Sequence, residues 1–208
     1  MRATAFALAA LLMNATAGLA QVAAAPTQAP TQDPTQVKAG RYVLDPDHGK
    51  ITWSVSHLGY STYYGQFTGV SATLDLDPKV PARSRLSVTV PLSGVLTGNS
   101  RLDERLAASD FFDTPKFPTA SFTATGVEQT SPTTARITGD LTLRGVTKPV
   151  SLDATFNQAG TNLIDRRYTV GFDGRTVIKR SEFGISAFLP LVGDEVTLRI
   201  EGEFKAAP

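Results

Sequence analysis

The chain has 208 residues, 41% hydrophobic and 19% charged, with 20 Lys and Arg against 19 Asp and Glu and no cysteine. That is room for one domain and an accessory segment, and a formal charge of +1 offers no field to gather nucleic acid or an anionic membrane. The missing thiols exclude disulfides, thiolate metal sites, cysteine nucleophiles and a lipid anchor on an N-terminal cysteine. Residues 1–40 hold Arg2, Lys38 and Asp33, which leaves 18 basic and 18 acidic side chains from residue 41 onward. The main body is therefore neutral.

Met1 and Arg2 precede an Ala/Leu-rich run from Ala3 to Leu12, and small residues follow through Gly18 and Ala20. This order predicts a secretory signal peptide over residues 1–20, cleaved after Ala20, and a periplasmic or secreted protein. The apolar run falls short of the roughly 20 residues a membrane-spanning helix needs, and Asn14 interrupts it, so the mature chain is expected to carry no transmembrane segment. A tandem repeat follows: Pro26-Thr27-Gln28, Pro30-Thr31-Gln32 and Pro34-Thr35-Gln36. Proline at every fourth position blocks regular helix and sheet, which predicts an extended, solvated linker over residues 21–40.

From Arg41 the dominant period is two. Ile51, Trp53 and Val55 alternate with polar residues, as do Val70, Ala72, Leu74 and Leu76, then Leu86, Val88 and Val90. The pattern returns in Ile137, Leu141 and Leu143, in Val150, Leu152, Ala154 and Phe156, and in Val196, Leu198, Ile200 and Phe204. One apolar and one polar face per run is what half-buried antiparallel strands require. Further strands over Thr119–Val127 and Arg166–Lys179 bring the expected number to at least eight. Asn99 or Ser100 caps a short helix running to Ala107, and an irregular aromatic segment follows through Pro118. No βαβ alternation is present. The fold expected is all-β, an antiparallel barrel or sandwich over residues 41–208 with one helical excursion. A closed barrel of about eight strands either fills with side chains or holds one small ligand.

His48 and His57 are the only histidines. Their odd separation would set them on opposite faces of one continuous strand, which disfavours a shared metal. A loop-borne site would need Asp45 or Asp47 beside His48, and no metal is expected. His57 shares the inward parity of Trp53 and Val55, at a strand end, where it is either a hydrogen-bonded rim residue or a donor to a ligand headgroup. Ser56-His57 and Ser181-Glu182 are sequence neighbours that point apart on a strand, and a catalytic triad is recognised only by geometry. Asp103-Glu104 and Asp194-Glu195 read as solvated charges.

The ordered motifs resemble the YceI-like family of bacterial polyisoprenoid-binding proteins. They are His48, Trp53, Val55, His57-Leu58-Gly59, Ser61, Gly65, Phe67 and Gly69; then Arg101-Leu102, Ser109 to Asp113, Phe117-Pro118 and Phe122; then Gly139 to Val150, Arg180, Phe183-Gly184 and Gly193 to Val196. The resemblance spans residues 41–206. It implies an eight-stranded antiparallel lipocalin-like barrel, a periplasmic or secreted non-catalytic carrier, and a long isoprenoid or similar lipid as the only bound group. Two positions depart from the family pattern: Gly49 replaces a common serine, and Arg105 stands where many members have histidine. Both are expected near the barrel mouth.

The residues expected to contact the lipid are Trp53, Val55, His57, Phe111, Phe117, Phe122, Leu141, Leu143, Phe172, Arg180, Phe183 and Phe188. Headgroup candidates are His57, Arg101, Arg105, Lys116 and Arg180, whose charges would bind a pyrophosphate or carboxylate if two or more converge. The function expected is binding, storage or transport of a polyisoprenoid or isoprenoid quinone-like lipid, with a homodimer allowed. Two alternatives stay open: an enzyme using His57 as acid or base on a bound lipid, and an envelope stress or adhesion module with a filled core.

Overall fold

The computed structural model describes residues 29–207. The expected signal peptide and the first part of the linker lie outside the described residues. The strands are β1 (Gly40–His57), β2 (Ser61–Phe67), β3 (Ser71–Leu76), β4 (Arg85–Pro91), β5 (Val95–Leu96), β6 (Thr119–Gln129), β7 (Thr134–Leu143), β8 (Val146–Thr161), β9 (Tyr168–Lys179) and β10 (Val192–Ala206). The helix α1 covers Ser100–Leu106, and the Asn99 side chain caps it by accepting from the amides of Arg101 and Leu102.

All pairings are antiparallel, and β1 pairs with β10 to close the sheet. The long β1 pairs through Gly40–Val43 with β3 and through Ile51–His57 with β2, so β2 and β3 act as one interrupted strand. Strands β4 and β5 do the same against β3 and β2. The result is a closed eight-stranded barrel with one short helix, in which the β1–β10 pairing joins the two sides of the sheet.

The inward set of β1 changes parity along its length. Tyr42 and Leu44 are buried, and beyond them Trp53 and Val55 are. Between the two groups the register with β10 jumps from Leu44 opposite Phe204 to Gly49 opposite Gly202. The extra residues form a bulge, which kinks the strand and swaps the face its side chains present. Asp45 and His48 lie on it. A Cβ on Gly49, which follows the bulge, would stand 2.5 Å from Leu44 Cδ2.

The barrel has two unlike ends. At the helix end, α1, the 107–118 segment and the 180–191 loop pack over the strands. Trp53, Leu106, Leu143, Phe183 and Ile185 are buried in that half, and the Phe67 and Phe112 rings meet edge-on at 5.6 Å. At the opposite end, the tail end, the last two copies of the Pro-Thr-Gln repeat and the residues that lead into β1 fold back on the barrel. This differs from the extended, solvated linker the repeat predicts. Thr31 pairs with Ala159 of β8, Pro34–Gln36 forms a 3-10 turn capped by Asp33, and Val37 is 7% exposed. The physical reason is local: proline fits the start of such a turn because its missing N–H is not needed there, and Val37 supplies an apolar side chain the repeat itself lacks.

Candidate ligand-binding site

The lumen of the barrel is incompletely filled. A cavity of about 260 Å³ lies between the packed helix end and the tail end. Its walls come from the inward row of nearly every strand: Leu86 and Val88 on β4, Phe122 on β6, Ile137 and Leu141 on β7, Val150 on β8, Phe172 on β9 and Leu198 on β10. These side chains face inward yet are only half-buried, which is how an aliphatic wall around open space differs from a close-packed core. Lys50, Asp173 and Glu201 also border the cavity, but each sits between inward neighbours and so points outward by strand alternation.

The cavity reaches the tail end, where Pro34, Val37, Pro78, Pro81 and Pro132 border it. Polar groups at this rim are engaged in their own turns. Asp77 accepts from the Val80 and Lys79 amides at 2.9 and 3.1 Å, Ser84 Oγ accepts from the Asp77 amide at 3.0 Å, and Gln129 donates to the Pro132 carbonyl at 3.3 Å. Arg85 Nη1 donates to the carbonyls of Arg83 and Ser84, both at 3.0 Å. The inner surface is thus apolar, and hydrocarbon is the guest it can desolvate without leaving a polar group unpaired.

Of the residues expected to contact a ligand, Phe122, Leu141 and Phe172 border the cavity. Trp53, Val55, Leu143 and Phe183 are buried in the packed helix-end half and do not border it. His57 is half-buried at the end of β1, its ring tilted against Tyr63 with centroids 6.1 Å apart. Phe111 lies 6.1 Å from Phe188, which is 56% exposed, and Phe117 packs against Gly145, where a Cβ would stand 2.6 Å from Phe117 Cε1. These residues also belong to the helix end.

The five headgroup candidates, His57, Arg101, Arg105, Lys116 and Arg180, all lie at the helix end, so the structure does not bring them to the cavity mouth. Arg105 pairs with Asp110 and covers the Phe111 ring at 4.9 Å. Arg101 is exposed on α1, and the Lys116 ammonium sits 5.1 Å from the Phe117 ring. Arg180 is buried. Its guanidinium donates to the carbonyls of Gly193 (2.8 Å), Ile185 (3.0 Å), Ala187 (2.9 Å) and Val192 (2.8 Å), which engages four of its five N–H groups. Desolvation lowers its pKa, and the ring of carbonyls takes the place of water. Arg180 fastens the 180–191 loop to β10.

Arg144 and Lys205, to which sequence reasoning gave no role, fasten elements at the two ends of the barrel. Arg144 donates to Gly184 O at 2.8 Å and Ser109 O at 2.6 Å, tying both helix-end loops to the β7–β8 turn. On the β1 bulge, Asp45 is buried and accepts from Lys205 (2.6 Å) and His48 Nδ1 (2.8 Å). The Lys205 ammonium, with the His48 ring and the Asp47 amide, holds the Asp45 carboxyl at about 2, and Asp45 in turn raises His48. The possible ligand atoms of Asp45, His48 and Glu203 lie within 4.8 Å of one another, but Lys205 already supplies Asp45 with a positive charge. Ser181 meets no histidine: its hydroxyl donates to the Asp194 carboxylate at 2.8 Å, and its amide to the same group at 2.9 Å.

This architecture recurs in known proteins. The family model of the YceI-like domain matches residues 42–204. The chain belongs to the YceI-like family. A UPF0312 protein of Pseudomonas savastanoi pv. phaseolicola is 37% identical over 152 residues, covering 72% of this chain and 79% of the relative. The crystal structure of the YceI protein of Campylobacter jejuni has a TM-score of 0.66 at 32% identity, covering 74% of this chain and 90% of that one. A polyisoprenoid binding domain from Saccharophagus degradans, implicated in plant cell wall breakdown, shares the fold with a TM-score of 0.59 at 14% identity, over 82% of this chain and 100% of that one. Pro34 and Val37 precede the family-matched residues of this YceI-like barrel.

Proposed function

We propose that this YceI-like protein binds one long apolar lipid, a polyisoprenoid or an isoprenoid quinone-like molecule, in its lumen and carries or stores it without transforming it. The observation that carries this reading is the unfilled cavity of about 260 Å³ walled by inward, half-buried aliphatic side chains. Each buried CH₂ contributes about 0.8 kcal/mol, so a chain of modest length offsets the cost of being ordered. The family membership, and the polyisoprenoid binding domain among its fold neighbours, support the same ligand class.

A filled-core adhesion module is less well supported, because the tail-side half of the lumen holds open space. Catalysis by His57 is less well supported as well, since His57 does not border that space. The expected setting is the periplasm or the cell exterior, and intact mass measurement of the exported protein tests it: a mature chain beginning at Gln21 is predicted. Binding is tested by native mass spectrometry of the purified protein incubated with solanesol, a long isoprenoid alcohol. One bound molecule per chain is expected, and protein that stays free at saturating solanesol would sink the reading.

A further inference from the structure

A cavity of about 260 Å³ falls just under the roughly 300–1,000 Å³ of pockets that enclose a whole drug-sized ligand. A long isoprenoid exceeds that size, so part of it has to leave through one end of the ring. The helix end is held by buried Trp53, Leu106 and Phe183, by the four carbonyl bonds of Arg180 and by both anchors of Arg144. Opening it would expose core and strand buried polar groups.

The tail end is held far more lightly. Thr31 N donates to Ala159 O at 2.7 Å and Ala159 N to Thr31 O at 2.9 Å, while Pro30 lies flat on Gly160, where a Cβ would stand 2.8 Å from Pro30 Cα. At the stem, Lys38 N donates to Tyr168 Oη at 3.3 Å and Tyr42 Oη to Lys38 O at 2.6 Å. Between these points the hydrogen bonds stay inside the segment. The Asp33 carboxylate accepts from the Thr35 amide and hydroxyl and from Gln36 Nε2, and the Gln36 and Val37 amides donate to Asp33 and Pro34 carbonyls. What seats the turn on the barrel is apolar contact by Pro34 and Val37, both of which border the lumen. Gly40 follows with φ of +147°, a conformation open to glycine and costly for other residues, at the point where the segment joins β1.

Resting on the lipid-binding reading, we propose that residues 30–38 are a stopper and that Pro34 and Val37 set which chain lengths the lumen accepts. Short isoprenoids fit with the stopper seated. Long ones thread past the tail end, and require the segment to leave β8 and swing about Gly40. Release breaks the Thr31–Ala159 pair and the Lys38 backbone bonds to Tyr168 and Tyr42 and exposes Pro30, Pro34 and Val37, and burial of the added hydrocarbon offsets that cost.

The absence of cysteine from the chain allows a direct test. Thr31 and Ala159 exchange both of their backbone hydrogen bonds, a geometry with Cα atoms about 5.5 Å apart, inside the roughly 4.4–6.8 Å a disulfide spans. The double variant T31C/A159C is incubated, oxidised and reduced, with geraniol, a short isoprenoid alcohol, and separately with solanesol, and bound alcohol is counted by native mass spectrometry. Wild type and the reduced variant are expected to load both. The oxidised variant should load geraniol and lose at least about tenfold in solanesol affinity. Equal solanesol loading by oxidised and reduced protein overturns the stopper while leaving lipid binding intact. Failure of wild type and the reduced variant to load either alcohol overturns the lipid reading and the stopper together.

Discussion

The indole of Trp53 lies across Gly65, its partner on β2: a Cβ on Gly65 would stand 2.2 Å from Cζ2 and 2.5 Å from Cε2 of that ring. The indole also stacks on Tyr63 at 6.3 Å, so it has little room to retreat. Gly65→Ala is therefore expected to destabilise the fold by about 1–3 kcal/mol through overpacking. Urea unfolding should show a lower midpoint with an unchanged slope. Combining it with Trp53→Leu should return part of the loss, because the two changes share one contact.

Arg180 offers a sharper contrast between anchoring and headgroup binding. Arg180→Met keeps the bulk but leaves four carbonyls, one of them fully buried and three partly, without their donor, and a buried carbonyl left unpaired costs about 1–3 kcal/mol. A loss of at least about 3 kcal/mol is expected on that basis. Arg180→Lys should rescue poorly, since an ammonium cannot reproduce the planar fork. A variant as stable as wild type that had lost lipid would return Arg180 to the headgroup role.

The bulge on β1 predicts an acid limb in the stability curve. Asp45 titrates at about 2 in the folded protein against an ordinary 3.8, chiefly because Lys205 donates to it. A carboxylate with a depressed folded pKa contributes stability that is fully present above its unfolded value and is lost as pH falls through the folded one. The gap corresponds to about 2 kcal/mol. Wild type should therefore lose more stability than Asp45→Asn between pH 4 and pH 2, measured by urea midpoints across that window. Parallel curves would contradict the ion pair as a folding contribution.

Much of the fold was legible in the sequence because the barrel is built from period-two runs. Ile51, Trp53 and Val55, or Leu86, Val88 and Val90, announce a strand and its inner face together. The parity change within β1 was not legible: Asp45 to His48 carry no strand pattern, and the bulge exists only because β10 sets the register opposite. The site was legible in part. Alternation marks Phe122, Leu141 and Phe172 as inward, yet it marks Trp53, Val55 and Leu143 in the same way. Whether an inward side chain meets another or faces open space depends on what crosses the ring from strands far away in sequence. The mouth was expected at the histidine and helix end, where the aromatics and cations gather. They close that end instead, and the tail end is covered by Pro34, from the last copy of the repeat, and by Val37 just after it.

Filling the lumen separates binding from folding. Ala154 is half-buried and borders the cavity, so Ala154→Trp projects an indole into space that a lipid would use. Solanesol affinity is expected to fall at least about tenfold while the urea midpoint stays close to wild type. A variant that binds as well as the parent would place the ligand elsewhere.

A barrel that holds hydrocarbon in its lumen should leave its own host already loaded. Organic extraction of the protein purified from its own host, followed by mass spectrometry of the extract against the protein concentration, tests it most directly. An isoprenoid-class lipid near one molecule per chain is expected, reduced in Ala154→Trp prepared identically. A folded protein that yields no lipid, and takes none up when offered solanesol, would contradict it.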